Sequence, residues 1–372
     1  MIEQDIIVLN PYLKDSRSEK SNRLKEAEEL VKAINLNCIF SQSVGLISIN
    51  PKTYLNSGFV RMLEQKAKNI KVELVYINVN LSPIQQRNLE KIINCKVIDR
   101  TGLILEIFGS RARSNEGKLS VNLASLEFQK SRLVRSWTHL ERQRGGAGFM
   151  GGPGEKQIES DKRQITEQIN RLKKKIEKIN NIRVNQRSRR IKNNTPIVSL
   201  VGYTNSGKST LFNLLTKSNV LSKNMLFASL DSTIRRTRIN EINLVFVDTV
   251  GFIRDLPTNL IDAFKSTLDE IVNSDIILHV RDLSDDEYLL HKKEVLKILS
   301  EIGVKEDDKR IIEVNNKFDL VANEYQVEQI GEENIITSAL SGQGISNLKI
   351  KITGKLSSLY KDTYLLKESY KT

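Results

Sequence analysis

Cysteine is nearly absent: Cys38 and Cys95 are the only two in 372 residues. One pair cannot make a disulfide framework, and two buried thiols suit a reducing cytosol, so the expected location is cytoplasmic. Histidine is equally scarce, and His139, His279 and His291 stand too far apart to be spaced as zinc ligands. No apolar run approaches the ~18 residues that span a bilayer, so no stable membrane insertion is expected. Met1 to Asn10 lacks the basic stretch and apolar core of a signal peptide. A monomer is expected.

Charge is present in excess, and its placement is informative. The formal net charge is +13, and between Lys130 and Lys192 eighteen Lys and Arg face six Asp and Glu. A solvated helical surface ordinarily mixes signs. Such a segment suits a polyanion, either nucleic acid or an anionic membrane.

The length allows two or three domains. Residues 1–115 alternate short apolar runs with amphipathic stretches. Ile6–Leu9, Val44–Ile49, Val72–Ile77 and Cys95–Ile98 read as strands, and Leu24, Ala27, Leu30, Val31 and Ile34 as one helix face. Ser82-Pro83 marks a helix start, since a serine cap precedes a proline whose missing N–H costs nothing there. A small α/β domain with a mainly parallel sheet is expected, with no phosphate loop in it.

Residues 116–194 carry two seams of alternating three- and four-residue spacing. Leu119, Leu123, Leu126, Leu133, Trp137 and Leu140 form one, with Lys130 at the missing position. Ile158, Ile165, Ile169, Leu172, Ile176 and Ile179 form the other, with Lys162 at the gap. They predict a long antiparallel helical hairpin. Between them, Arg142 to Glu155 holds six glycines and a proline, which cannot continue a helix. Its arginines and the Phe149-Met150 pair suit a functional tip better than a plain connector.

Residues 195–360 alternate strand, loop and helix, and a polar tail, 361–372, follows. Ile197–Val201, Leu244–Val247, Ile276–Val280 and Ile311–Val314 are continuous apolar runs, as in strands buried on both faces. After the first run come Gly202, Tyr203, Thr204, Asn205, Ser206, Gly207, Lys208 and Ser209, with Thr210 entering a helix. That is the setting of a phosphate loop. Its N–H groups wrap phosphates, Lys208 adds a point charge, and the Ser209 hydroxyl is placed to ligate Mg²⁺. Asp248, Thr249, Val250 and Gly251 end the second run. Asp248 is a further candidate metal ligand, and Gly251 lets its N–H approach a γ-phosphate closely. Asn316, Lys317, Phe318 and Asp319 follow the fourth run. Asp319 can accept two hydrogen bonds from guanine, and Lys317 is expected over the base. Ser338, Ala339 and Leu340 are expected to offer a backbone N–H to the guanine carbonyl. Four such strings in this order, each at a strand's end, identify a P-loop domain that binds GTP and GDP. Lys208, Asp248 and Gly251 are the expected catalytic group.

The four motifs resemble the translation-factor-related GTPases, and longer phrases resemble the HflX family of ribosome-associated GTPases. These are Val97 to Leu105, Trp137 to Gly146, Gly152 to Glu155 and Phe246 to Pro257. The resemblance implies a three-part α/β architecture: small parallel-sheet domain, long helical hairpin, C-terminal P-loop GTPase domain. It also implies binding to the RNA of the large ribosomal subunit, and splitting or rescue of stalled ribosomes. The tip residues Arg142, Arg144, Gly145, Gly146, Phe149 and Met150 would act at the ribosome, and Arg171, Lys173, Lys174 and Lys175 would bind phosphates. The first switch matches Phe227, Ala228, Ser229, Leu230 and Asp231. Ser229 stands where relatives carry the threonine that reaches Mg²⁺, and Thr233 is its rival. Tyr54 to Gly58 has lost most of the glycines that some relatives link to ATP, so no ATP site is expected there.

Phe252 follows Gly251, where many regulatory GTPases have a water-orienting glutamine. Slow intrinsic hydrolysis is therefore expected, with the water placed by the ribosome or by a monovalent cation. Asn205 is the candidate K⁺ position, or else merely shapes the loop. A GTP switch acting on proteins or anionic lipid, and an RNA-binding protein with a purely structural nucleotide, are the competing readings. The inward apolar seam argues against the lipid, and intact Lys208, Ser209 and Asp248 argue against the second.

Overall fold

The computed structural model describes residues 4–13, 20–143, 153–192, 195–218, 226–227, 232–257, 260–261, 264–321 and 335–369. They form two compact units, Met1–Glu177 and Lys178–Thr372.

The first unit begins with β1 (Asp5–Leu13), α1 (Lys20–Lys32), β2 (Asn37–Leu46), α2 (Ser57–Ile70), β3 (Leu74–Ile77), α3 (Pro83–Ile93), β4 (Lys96–Asp99) and α4 (Arg100–Arg111). The sheet order is β2-β1-β3-β4, parallel throughout. Ile7, Leu9, Val75, Ile77 and Val97 lie in its core. At α3 the Ser82 hydroxyl accepts from the Gln85 N–H, Gln85 Oε1 accepts from the Ser82 N–H at 2.9 Å, and Pro83 is the first helical residue. The strand expected at Val44–Ile49 instead runs Asn37–Leu46, leaving Ile47 and Ile49 exposed. β2 is an edge strand, so Ser41, Gln42 and Ser43 are tolerated within it and dilute its apolar signature. Cys38 and Cys95 are half-buried rather than buried, and burial raises both thiol pKa values.

The outer border of β4 is closed by side chains. Val97 donates its N–H to Glu90 Oε1 at 3.2 Å, and its carbonyl accepts from Gln86 Nε2 at 2.6 Å. The phrase Val97–Leu105 also carries a polar core. Asp99 accepts from the Gly102 and Leu81 N–H groups and pairs with Arg132 at 2.6 Å, while buried Arg100 reaches Asn78 and Glu26, each at 2.6 Å.

Two long helices follow, α5 (Asn115–Gln143) and α6 (Pro153–Lys192), the division between units falling within α6. Helix α5 packs on α3 and α4. Leu123, Ala124 and Ile169 are buried, and Lys173 of α6 pairs with Glu127 of α5 at 2.9 Å.

The second unit contains β5 (Ile197–Val201), α7 (Lys208–Thr216), β6 (Thr233–Ile239), β7 (Ile242–Asp248), α8 (Lys265–Val272), β8 (Ile276–Asp282), α9 (Tyr288–Glu301), β9 (Ile311–Asn316), β10 (Ile335–Ile336) and α10 (Ile345–Ser369). The sheet order is β10-β9-β8-β5-β7-β6, with only β6 antiparallel among the described strands. Every residue of β5 is buried, and Phe212, Phe246, Leu278 and Val314 share its core. Strand β6 has no counterpart in the apolar pattern, because Thr-Ile-Arg-Arg-Thr-Arg-Ile is an exposed edge. It meets β7 through Asn240 and Glu241, both at positive φ (45° and 71°), as a tight hairpin turn requires. Residues 361–369, expected in a polar tail, continue α10, since no proline interrupts it after Ile345.

Candidate nucleotide site

The continuous apolar run of β5 places the Gly202–Ser209 loop at the carboxyl end of the central strand, where ligands of parallel sheets bind. Glycine is required on packing grounds at both ends. A Cβ on Gly202 would lie 2.1 Å from the Val280 carbonyl oxygen, and one on Gly207 (φ 90°) 2.2 Å from Asn316 Nδ2. Asn205 is exposed at φ 61°, a left-handed conformation that asparagine accepts readily.

Lys208 is buried, and its ammonium donates to the carbonyls of Gly202 at 3.1 Å and Tyr203 at 2.7 Å. Desolvation lowers its pKa to about 8, against the pull of Asp248. Ser209 Oγ donates to Asp248 Oδ2 at 2.7 Å. Asp248 is 2 % exposed, and burial raises its pKa. Asp248 Oδ1, Thr204 Oγ1 and Ser206 Oγ are buried with no hydrogen-bond partner among the described residues. A hydroxyl beside a carboxylate with an unused oxygen is a donor set that fits Mg²⁺.

The segment after Asp248 is fastened to the phosphate loop. Phe252 bridges Tyr203 in parallel, with Thr204 N–H donating to the Phe252 carbonyl at 2.7 Å and Phe252 N–H to the Gly202 carbonyl at 3.1 Å. A Cβ on Gly251 would lie 2.9 Å from the backbone Cα of Thr204 and 3.0 Å from Lys208 Nζ, so a side chain here would press on the phosphate loop itself. The Phe252 ring is 2 % exposed. The Tyr203 hydroxyl accepts from Arg254 N–H at 3.1 Å, and the Tyr203 ring stacks on His291 with centroids 3.7 Å apart. Arg254 is buried and pairs with Glu287 at 2.6 Å. Thr249 Oγ1 donates to the Leu200 carbonyl at 2.6 Å, and Val250 is buried.

Asn316 joins the phosphate loop to the loop after β10. Its Nδ2 donates to the Ser206 carbonyl at 3.0 Å, while its Oδ1 accepts from Thr337 Oγ1 at 3.2 Å and Ala339 N–H at 2.9 Å. Lys317 is in the left-handed region and its ammonium pairs with Asp282 at 2.6 Å. Phe318 and Asp319 lie in a 3₁₀ turn with Asp319 exposed, and Phe318 N–H donates to the Thr337 carbonyl at 3.2 Å; Ser338 is buried and Leu340 exposed. Thr210 lies in the first turn of α7.

Phe227 is buried, while Ala228, Ser229, Leu230 and Asp231 lie outside the described residues. Thr233 opens β6 directly opposite Asp248 in the register. Arg171, Lys173, Lys174 and Lys175 are exposed on α6. Arg144, Gly145, Gly146, Phe149 and Met150 lie outside the described residues, and Arg142 is in α5.

The motif reading missed Asp282 and the Tyr203, Arg254, Glu287 and His291 cluster. Asp282 ends β8 one residue after Arg281, which sequence alone could have marked as a strand terminus at the site. Nothing in the spacing of Tyr203 and His291 announces their stack.

Residues 197–317 match the family model described as 50S ribosome-binding GTPase. Residues 21–109 match the GTP-binding GTPase N-terminal model and 111–190 the GTP-binding GTPase middle region. Similar curated proteins include GTPase HflX of Magnetococcus marinus, 46 % identical over 90 % of this chain and 78 % of that one. GTPase HflX of Escherichia coli is 40 % identical over 95 % of this chain and 83 % of its own length. Among solved structures, that of SsGBP in complex with GDP is 26 % identical, covers 96 % of this chain and 99 % of its own, and has a TM-score of 0.52.

Proposed function

The chain belongs to the HflX family of GTPases, and from that premise we propose that it couples GTP hydrolysis to splitting or rescue of ribosomes through the large subunit. Hydrolysis of GTP is the family's activity. The finer task is read from the fold and charge together. The observation that carries it is the basic hairpin: Arg171, Lys173, Lys174 and Lys175 are exposed on a 40-residue helix, α6. That is what insertion among RNA phosphates requires.

In this reading the phosphate-loop N–H groups and Lys208 hold the β- and γ-phosphates. Ser209 and Asp248 hold Mg²⁺, which when bound offsets phosphate charge, and Ser229 or Thr233 joins them from the first switch. Gly251 presents its N–H to the γ-phosphate. Asp319 recognises guanine while Asn316 ties its loop to the phosphate loop. Phe252 has no group that orients water, and its buried ring supports assigning that task to the ribosome. A K⁺ ion beside Asn205 is the alternative.

Two measurements test this. Protein with a non-hydrolysable GTP analogue should sediment with large subunits in preference to anionic liposomes. Mixing it with intact ribosomes should lower light scattering, and Lys208→Ala should abolish GTP turnover. Unchanged scattering with wild type, under conditions where it hydrolyses GTP, would sink the splitting reading.

A further inference from the structure

Residues 195–360, from the strand before the phosphate loop onward, do not share the basicity of the hairpin: they hold 19 Lys and Arg against 23 Asp and Glu. Within this acidic domain, three arginines occupy four consecutive positions of β6, and the strand carries no acid. Arg235, Arg236 and Arg238 are all exposed. Among the described residues, Arg235 donates to the Ile234 carbonyl at 3.0 Å and Arg238 meets exposed Glu241 at 3.9 Å. Alternate residues on an antiparallel strand are about 6.8 Å apart, so Arg236 and Arg238 present two guanidinium groups along one face. Among the described strands β6 lies at the border of the sheet, with β7 as its one neighbour.

The position of the strand gives the strip a second property. Its first residue, Thr233, is in register with Asp248, a candidate metal ligand, and the arginines follow two, three and five residues later. Whatever orders Thr233 around a bound nucleotide therefore acts on the same strand that carries the strip.

We propose that the outer edge of β6 is a contact for the phosphodiester backbone of large-subunit RNA, made by Arg235, Arg236 and Arg238 and distinct from the basic hairpin. Guanidinium forks match phosphate oxygens in geometry as well as charge. This rests on the ribosomal reading above. The competing account is that the arginines only guard a free edge against pairing with another copy.

The test uses the full chain with a non-hydrolysable GTP analogue, pelleted with large subunits across a KCl series, and pelleted alone. The variant is Arg235→Gln with Arg236→Gln and Arg238→Gln. Its log–log salt slope should be shallower by about 2, since each phosphate contact contributes roughly 0.7–0.9, with intrinsic GTP turnover unchanged. Lysine at the same three positions should restore most of the slope. Equal slopes for variant and wild type overturn the proposal and leave the ribosomal reading standing. So does a glutamine variant that pellets without ribosomes, which favours edge guarding. Wild type that binds anionic vesicles but not subunits overturns both.

Discussion

At the scale of single residues, two side chains have effects of definite sign. Asp319 is exposed beside the loop that Asn316 fastens. Asp319→Asn should weaken guanine nucleotide binding, because an amide cannot accept both hydrogen bonds. The loss is about 1.5–3 kcal/mol per charge-assisted bond, read as a rise in Kd for labelled GDP. Equal affinity would remove Asp319 from the base site. His279 on β8 is 1 % exposed, and its Nδ1 has no partner among the described residues. Burial lowers its pKa from 6.5 to about 3. The unfolded chain therefore binds a proton that the folded chain refuses between these values. Stability should fall with acidification below about pH 6.5, by up to about 1.4 kcal/mol per pH unit from this group. Denaturant unfolding of wild type and His279→Gln between pH 4.5 and 7 measures it, the variant's slope being smaller by up to one proton.

At the scale of elements, the hairpin helices and the strand borders were unequally legible. The helices α5 and α6 were legible because a repeat of three and four persists through many turns of the sequence. The runs of β5, β7, β8 and β9 were visible because both faces are covered. β6 was invisible because an edge strand can be polar, and β2 was misplaced for the same reason. In the site, the loops at strand ends were legible from their glycines, Lys208 and Asp248. The Tyr203–His291 stack was not, since it joins residues 88 positions apart through packing alone. The helical reading carries its own prediction. Replacing Arg171, Lys173, Lys174 and Lys175 with glutamine should weaken subunit binding and flatten its salt dependence, through loss of counterion release. Loss of the Glu127–Lys173 pair should matter little to stability, as Lys173 is 57 % exposed. Thermal melting checks the second statement independently of the first.

At the scale of the whole molecule, the prediction concerns division of labour between helices and tip. Deleting Gly145 to Gly152 should leave intrinsic GTP hydrolysis intact and much of the subunit binding, yet abolish the fall in light scattering. A deletion that splits ribosomes as well as wild type would make the tip a connector. The boundary between the two units has a different consequence, in the order of synthesis. Residues 1–177 hold one complete parallel sheet, all of α5 and most of α6. Chains fold domain by domain as they emerge. The first core can close before the phosphate loop has been translated, so no nucleotide can assist it. Its register is set instead by neighbours made within the same stretch of chain, down to the Gln86 and Glu90 side chains that seal β4. A nascent chain halted after α6 begins is thus already protected along that border.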